Sequence, residues 1–202
     1  MNVKHEGLTY PAVYKPSRGE QPLWDFPDNT LAQREVAAYL VSEALGFHFV
    51  PYTTLRDDGP YGPGSLQQYI EYDPEYHYFT FSDEDKQLLK PVVLFDLLCN
   101  NADRKGSHVF FDSEHKLWAI DHGICFHEED KLRTVIWDFA GQPIPDDLLS
   151  PLASTGGWRA LLEPYLSPGE VTRLQSRAEA LSRSRVFPHP PPGRRAFPYP
   201  PI

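Results

Sequence analysis

Residues 100–123 read Asn-Asn-Ala-Asp-Arg-Lys-Gly-Ser-His-Val-Phe-Phe-Asp-Ser-Glu-His-Lys-Leu-Trp-Ala-Ile-Asp-His-Gly. Asp103 and His108 stand in a polar loop, and Asp121 ends the second of two short apolar runs. Carboxylates at the mouths of such a hairpin sit on loops that the strands hold rigid. Phosphoryl transfer uses a pair of this kind: one carboxylate orients an attacking hydroxyl, the other holds a metal on the phosphates. Asp103 beside Asn100 and Asn101 also suits plain turn chemistry, because Asn and Asp cap turns with their own side chains. Asp121 resists that reading, since a carboxylate closing the Leu117–Ile120 run must find a partner.

The elements that position these groups follow from periodicity. Leu8–Lys15 alternates as a strand, with Pro11 implying an edge or a bulge. Thr30-Leu-Ala-Gln33 is a capping-box pattern that opens a helix running to Leu45 and stopping at Gly46. Its main apolar face is Ala37, Leu40, Val41, Ala44 and Leu45. Glu35 lies opposite that face and is brought inward only if Leu31, Ala38 and Tyr39 form a second buried side. Phe49–Arg56 and Ser65–Glu71 read as strands around the turn-rich residues 57–64, and Glu71–Phe81 as an acidic, aromatic loop. Ser82 with Asp85 caps a second helix through Leu98, which Pro91 kinks or interrupts. After the hairpin Val109–Asp112 and Leu117–Asp121, helices are expected at Asp146–Leu152, Gly157–Leu166 and Pro168–Ser184. Seven of the last fifteen residues are proline, the composition of a strap laid on the protein's own surface, of a disordered end, or of a segment that docks on a partner.

Composition narrows the function classes. The chain has 202 residues, 23% charged and 13% aromatic, enough to bury a core. A formal charge of −9 argues against nucleic acid or an anionic membrane as the main partner. No apolar run approaches a membrane span and the N-terminus lacks a signal-peptide core, so a cytoplasmic location is expected. Cys99 and Cys125 alone make neither a disulfide framework nor a zinc finger.

The order of these parts is a lysine on a strand, a glutamate on the next helix, two strands, a helix, an aspartate loop and a hairpin ending in aspartate. The tract Tyr14-Lys15-Pro16, Arg34-Glu35-Val36-Ala37, Asn101-Ala102-Asp103-Arg104 and Ile120-Asp121-His122-Gly123 resembles the atypical branch of the protein-kinase-like superfamily. Within that branch it is similar to bacterial phosphatidylinositol 3/4-kinase-related and HipA-like proteins. The resemblance spans about Leu8 to Leu166 and implies an α+β, two-lobed fold with a truncated N-terminal lobe and a mainly helical C-terminal lobe. The lobes would be residues 1–71, binding nucleotide, and 72–187, catalytic, followed by the tail 188–202. The implied activity is transfer of the γ-phosphoryl group of ATP, with Mg²⁺ or Mn²⁺, to a hydroxyl of an unidentified protein or small molecule.

By the same resemblance Lys15 pairs with the nucleotide phosphates, Glu35 orients Lys15, and Gln68, Tyr69 and Ile70 line the adenine hinge. Asp103 is the catalytic aspartate, Arg104 follows it as in the lipid-kinase branch, and Asp121 binds the metal. Five positions after Asp103 the family places a metal-binding asparagine, and His108 stands there. Its nitrogen suits Mn²⁺ better than Mg²⁺, or it hydrogen-bonds a phosphate or Asp103 instead. Only fourteen residues precede Lys15, fewer than two strands and a phosphate-covering turn need, so a truncated lobe or a late start is expected. Two other classes stay open. A pseudokinase would bind nucleotide without turnover. A metal-dependent phosphohydrolase would gather His108, His122 and His127 with the two aspartates around a metal-bound water.

Overall fold

The computed structural model describes the chain apart from Pro22, Trp24 and the side chain of His5. The alternating run from Leu8 forms β2, Leu8–Pro16, which lies between β1, Asn2–His5, and β4, Gly62–Gln68; β3, Thr53–Gly59, completes an antiparallel sheet of order β1-β2-β4-β3. β1 has no counterpart among the sequence expectations. It joins β2 through a Glu6-Gly7 turn with φ of 49° and 79°, the positive angles that a tight hairpin requires. Pro11 is placed on neither an edge strand nor a bulge. β1 pairs with residues 8–11 of β2 and β4 with residues 12–16, so the proline sits where one partner ends and the other begins.

The strands expected at Phe49–Arg56 and Ser65–Glu71 both shift toward the turn between them. Asp57, Asp58, Gly59 and Gly62–Gly64 belong to the strands, and a register shift between Arg56 and Gly59 leaves Asp57 and Asp58 outside the paired positions. Gly64 is required here. A Cβ at this position would overlap the backbone oxygen of Lys15, so the bare residue lets β4 lie close against the lysine strand.

α1, Leu31–Ala44, ends before Gly46 (φ 71°) as expected. The Thr30–Gln33 capping box does not form. The Thr30 hydroxyl donates to the Pro27 carbonyl at 2.7 Å and accepts from Arg34 Nε at 3.3 Å. α2, Asp83–Gln87, begins with Ser82 Oγ accepting from the Asp85 N–H. Pro91 falls in the first turn of α3, Lys90–Cys99, so it starts a new helix instead of kinking an old one. β5, Val109–Phe111, and β6, Leu117–Ala119, form a separate hairpin. The remainder is helical: α4, Asp146–Leu149, runs into the 3₁₀ segment Ser150–Gly157, followed by α5, Trp158–Leu162, and α6, Pro168–Ser184. The core joins Val41 of α1, Leu94 and Leu98 of α3, Val109 and Ala119 of the hairpin, and Leu174 and Ala178 of α6. The architecture is α+β, a small antiparallel sheet set against several helices. Among the described residues no helix is long and apolar enough to cross a membrane.

Candidate active site

The loop after α3 is built on one buried carboxylate. Asn100, in the left-handed region at φ 56°, ends the helix and turns the chain back. Asp96, one turn inside α3 and 1% exposed, then accepts from Asn101 Nδ2 at 3.0 Å and from Arg104 Nε and Nη2 at 2.9 Å each. Asn101 Oδ1 accepts from the Asp103 N–H at 2.9 Å, which fixes the backbone of the candidate catalytic aspartate.

Arg104 is wholly buried and spends all five of its donors. Beyond Asp96 they reach the carbonyls of His108 (3.1 Å) and Ile120 (2.8 Å) and Nε2 of His122 (2.7 Å). Because Arg104 can only donate, His122 Nε2 accepts, and its Nδ1 carries the proton; among the described residues that nitrogen has no partner. Burial first, then the neighbouring cations Arg104 and Lys15, hold the His122 imidazole well below its usual pKa, hence neutral. Arg104 therefore ties together the two stretches that carry Asp103 and Asp121. It lies behind the site and does not face into it.

Asp121 is set at φ 64°, a conformation that Asp tolerates and β-branched residues do not. Its Oδ1 receives Lys15 Nζ at 2.8 Å, and Nε2 of His108 lies 3.2 Å from its Oδ2. Lys15 also donates to Glu35 Oε1 at 2.5 Å, while Glu35 Oε2 accepts from the His122 N–H at 3.1 Å. Burial alone would lower the Lys15 pKa, but Glu35 and Asp121 outweigh it and the net shift is upward. Burial would likewise raise Asp121; Lys15, His108 and Arg104 reverse the sign and keep its carboxyl below the usual range. His108 is pushed down to about 4, chiefly by burial and by Arg104, Lys105 and Lys15, with Asp121 opposing. Its Nδ1 accepts from the Lys105 N–H at 3.5 Å, so the neutral ring carries its proton on Nε2, toward Asp121. The partner that His108 meets is thus Asp121, not Asp103.

Asp103 stands to one side, with Lys105 Nζ 3.5 Å from its Oδ2. Burial raises its pKa, partly offset by Lys105 and reinforced by Asp121. Sequence reasoning passed over Lys105, although a cation two residues after Asp103 was legible. It gave no buried role to Arg34, whose guanidinium, 1% exposed, bonds the Cys125 carbonyl at 2.5 Å and pairs with Glu170, with the Phe26 ring 4.9 Å from its centre. Glu170 closes a capping box with Ser167 at the start of α6, so this pair fastens α1 to the helical part of the molecule. Glu35 is 3% exposed although, of the three residues expected to form a second buried side, only Ala38 is buried and Leu31 and Tyr39 are partly exposed.

Gln68, Tyr69 and Ile70 are not gathered with Lys15. They leave the end of β4, three residues beyond Ser65, the cross-strand partner of Lys15. The Tyr69 N–H donates to the Pro11 carbonyl at 3.2 Å, and the Tyr69 side chain is 45% exposed. Gln68 and Tyr69 line a cavity of about 390 Å³ with Tyr10, Ala12, Tyr52 and Leu66. By strand alternation, Gln68, Ala12 and Leu66 belong to the sheet face turned away from Lys15. Four residues after the end of β4, Tyr72 stacks on Phe110 with centroids 3.8 Å apart.

The histidine cluster of the phosphohydrolase reading does not assemble. His127 Nε2 bonds the Asp25 carbonyl and its ring packs on Phe26, and among the described residues no group of three or more His, Cys, Asp or Glu could hold a metal alone. Asp121, nearly half exposed, is a hard oxygen donor that fits a cation arriving on phosphates. Mg²⁺ is commonly held by one or two carboxylates, the substrate's phosphates and water.

A basic strand residue is thus bound to a helix glutamate and a loop aspartate, beside a second aspartate loop, on an α+β fold. The fold is similar to the crystal structure of the Helicobacter pylori proinflammatory kinase CtkA, with a TM-score of 0.56 over 92% of this chain and 87% of that one, at 13% identity. In sequence, Protein Rv2133c of Mycobacterium tuberculosis (strain ATCC 25618 / H37Rv) is 38% identical over 228 residues, covering 93% of this chain and 81% of that protein. The chain belongs to the Rv2133c family. No family model matches it.

Proposed function

We propose that the chain is an ATP-dependent phosphotransferase of the two-lobed protein-kinase type, in the phosphatidylinositol 3/4-kinase and HipA-like branch. Residues 1–71 form the nucleotide lobe and 72–187 the catalytic lobe. The observation that carries this reading is Lys15 held between Glu35 and Asp121 at 2.5 and 2.8 Å. A fixed ammonium beside an accessible carboxylate suits a nucleotide triphosphate with its Mg²⁺ or Mn²⁺, and the metal nucleotide supplies the transferable phosphoryl group.

Each residue's task follows from its surroundings. Asp121 would hold the metal and Lys15 the phosphates, with Glu35 keeping the lysine stem in place. His108, neutral with its proton toward Asp121, orients that carboxylate. Asp103, with a raised pKa, is the better base for the acceptor hydroxyl, and Lys105 beside it screens charge on the moving phosphoryl group. Arg104 acts as a positioning residue through His108, Ile120 and His122.

ADP production from ATP with Mg²⁺, and separately Mn²⁺, should fall by roughly 10²-fold or more in Asp103→Ala while the melting temperature is kept. Equal rates in the two proteins would contradict turnover and leave a nucleotide-binding pseudokinase.

A further inference from the structure

The residues after Phe187 include Pro188, Pro190, Pro191, Pro192, Pro198, Pro200 and Pro201. Such a chain is stiff and extended, and at its prolines, which have no backbone N–H, it is gripped through carbonyls and side chains. Phe187, 1% exposed, is the root: its carbonyl accepts from the Gly141 N–H at 2.8 Å. Further on, the Ala196 carbonyl accepts from the Thr134 N–H at 3.0 Å and from Trp137 Nε1 at 3.3 Å. The Pro201 carbonyl accepts from the Gly106 N–H at 2.8 Å.

Gly106 lies three residues after Asp103. Thr134 lies in the segment that runs along the same loop, where the Arg104 N–H donates to the Arg133 carbonyl at 3.0 Å and the Val135 N–H donates to the Arg104 carbonyl at 3.1 Å. The tail therefore crosses the two stretches that flank Asp103. His108 and Arg104 tie this loop to Asp121, and Lys15 and Glu35 meet Asp121 from the sheet and α1. An acceptor must come from elsewhere. The end of the tail is lightly held: Phe197, Tyr199 and Ile202 are each more than half exposed, in contrast to Phe187.

We infer that the groove between residues 104–106 and 130–137 is the path by which the acceptor reaches Asp103, that its natural guest is an extended polypeptide, and that residues 194–201 of the same chain fill it until displaced. Three N–H donors aimed at carbonyls of one extended chain suit a polypeptide, and a small hydroxyl compound offers nothing in that register. The inference rests on the phosphotransferase reading.

The test uses full-length protein and dephosphorylated casein as a generic polypeptide probe. Pro198→Asp sets a charge in a buried place and should lift the tail, as should exchange of residues 197–202 for Gly and Ser, which leaves the core untouched. Faster hydrogen exchange at the Gly106 and Thr134 amides reports the release. Phosphate transfer to casein should then rise roughly fivefold or more, while the melting shift caused by ATP and Mg²⁺ stays the same. A synthetic peptide of residues 194–202 should return the rate to its original value by competing with casein and not with ATP. Released tails with equal or lower transfer, including none from either protein, and an intact nucleotide shift would overturn the inference alone. Loss of the nucleotide shift from every form, wild type included, would instead remove the phosphotransferase reading, and this inference with it.

Discussion

The two aspartates of the site are held in opposite ways. Every donor of Arg104 is spent inside the protein: Asp96, Arg104 and His122 are at most 1% exposed, and each carboxylate oxygen of Asp96 accepts a guanidinium hydrogen bond. Lys15 holds a buried partner, Glu35, but its pair with Asp121 is open to water, with the side chains of Lys15 and Asp121 at 38% and 47% exposure. The first arrangement cannot rearrange without unfolding its surroundings, because each partner left alone would be a buried charge. The second can change partners at little cost, because water and arriving ions replace what is lost. A site that takes up an anion and a cation needs both kinds: a fixed frame for Asp103 and an exchangeable charge pair at Asp121.

Three substitutions would break or sharpen this contrast. The largest effect is expected for Asp96→Ala, which leaves the Arg104 guanidinium buried and unpaired. Denaturant unfolding should show a loss of about 3–5 kcal/mol, and a loss below 1 kcal/mol would mean that the frame is no frame. Asp121→Asn should cost roughly 1 kcal/mol or less in the same measurement, since the Lys15–Asp121 pair is exposed and Lys15 keeps Glu35, and yet remove ADP formation. A large stability loss there would erase the distinction between the two regions. His108 gives the smallest effect. Its pKa is about 4 in the fold against 6.5 unfolded, so the unfolded chain binds more protons between those values. Stability contributed by the neutral ring is present above about pH 6.5 and is lost as pH falls toward 4. His108→Asn should flatten that part of a melting-temperature profile, and an unchanged slope would show that His108 is not held neutral.

What could be read in the sequence, and what could not, divides along the same line. Lys15, Glu35, Asp103 and Asp121 were legible because their order along the chain carries the pattern, and the hairpin that sets Asp121 is encoded within thirteen residues. Arg34 beside Glu35 reads as an exposed helix pair, and nothing local says that Arg34 is buried against a glutamate 136 residues away. Asp96 in an apolar helix carried no signal beyond its oddity, yet it anchors the loop of Asp103. Ser167-Pro-Gly-Glu170 was a readable capping box, but its second task, receiving Arg34, exists only in three dimensions. The strand ends at residues 57–64 were misjudged because Gly, Pro and Asp ordinarily mark turns, whereas here tight strand packing against Lys15 demands Gly64.

The central claim is that Asp121 holds a metal carried on a nucleotide. Thermal unfolding with ATP plus Mg²⁺, and separately Mn²⁺, tests it on wild type and on Asp121→Asn, a replacement that keeps the left-handed backbone tolerated. Ligand that binds only the folded state at about 100 times its Kd adds about 2.7 kcal/mol, which is several degrees for a chain of this size. The account predicts a metal-dependent rise of that order in wild type and its loss in Asp121→Asn. No metal-dependent rise in wild type, or an equal rise in both proteins, would contradict it.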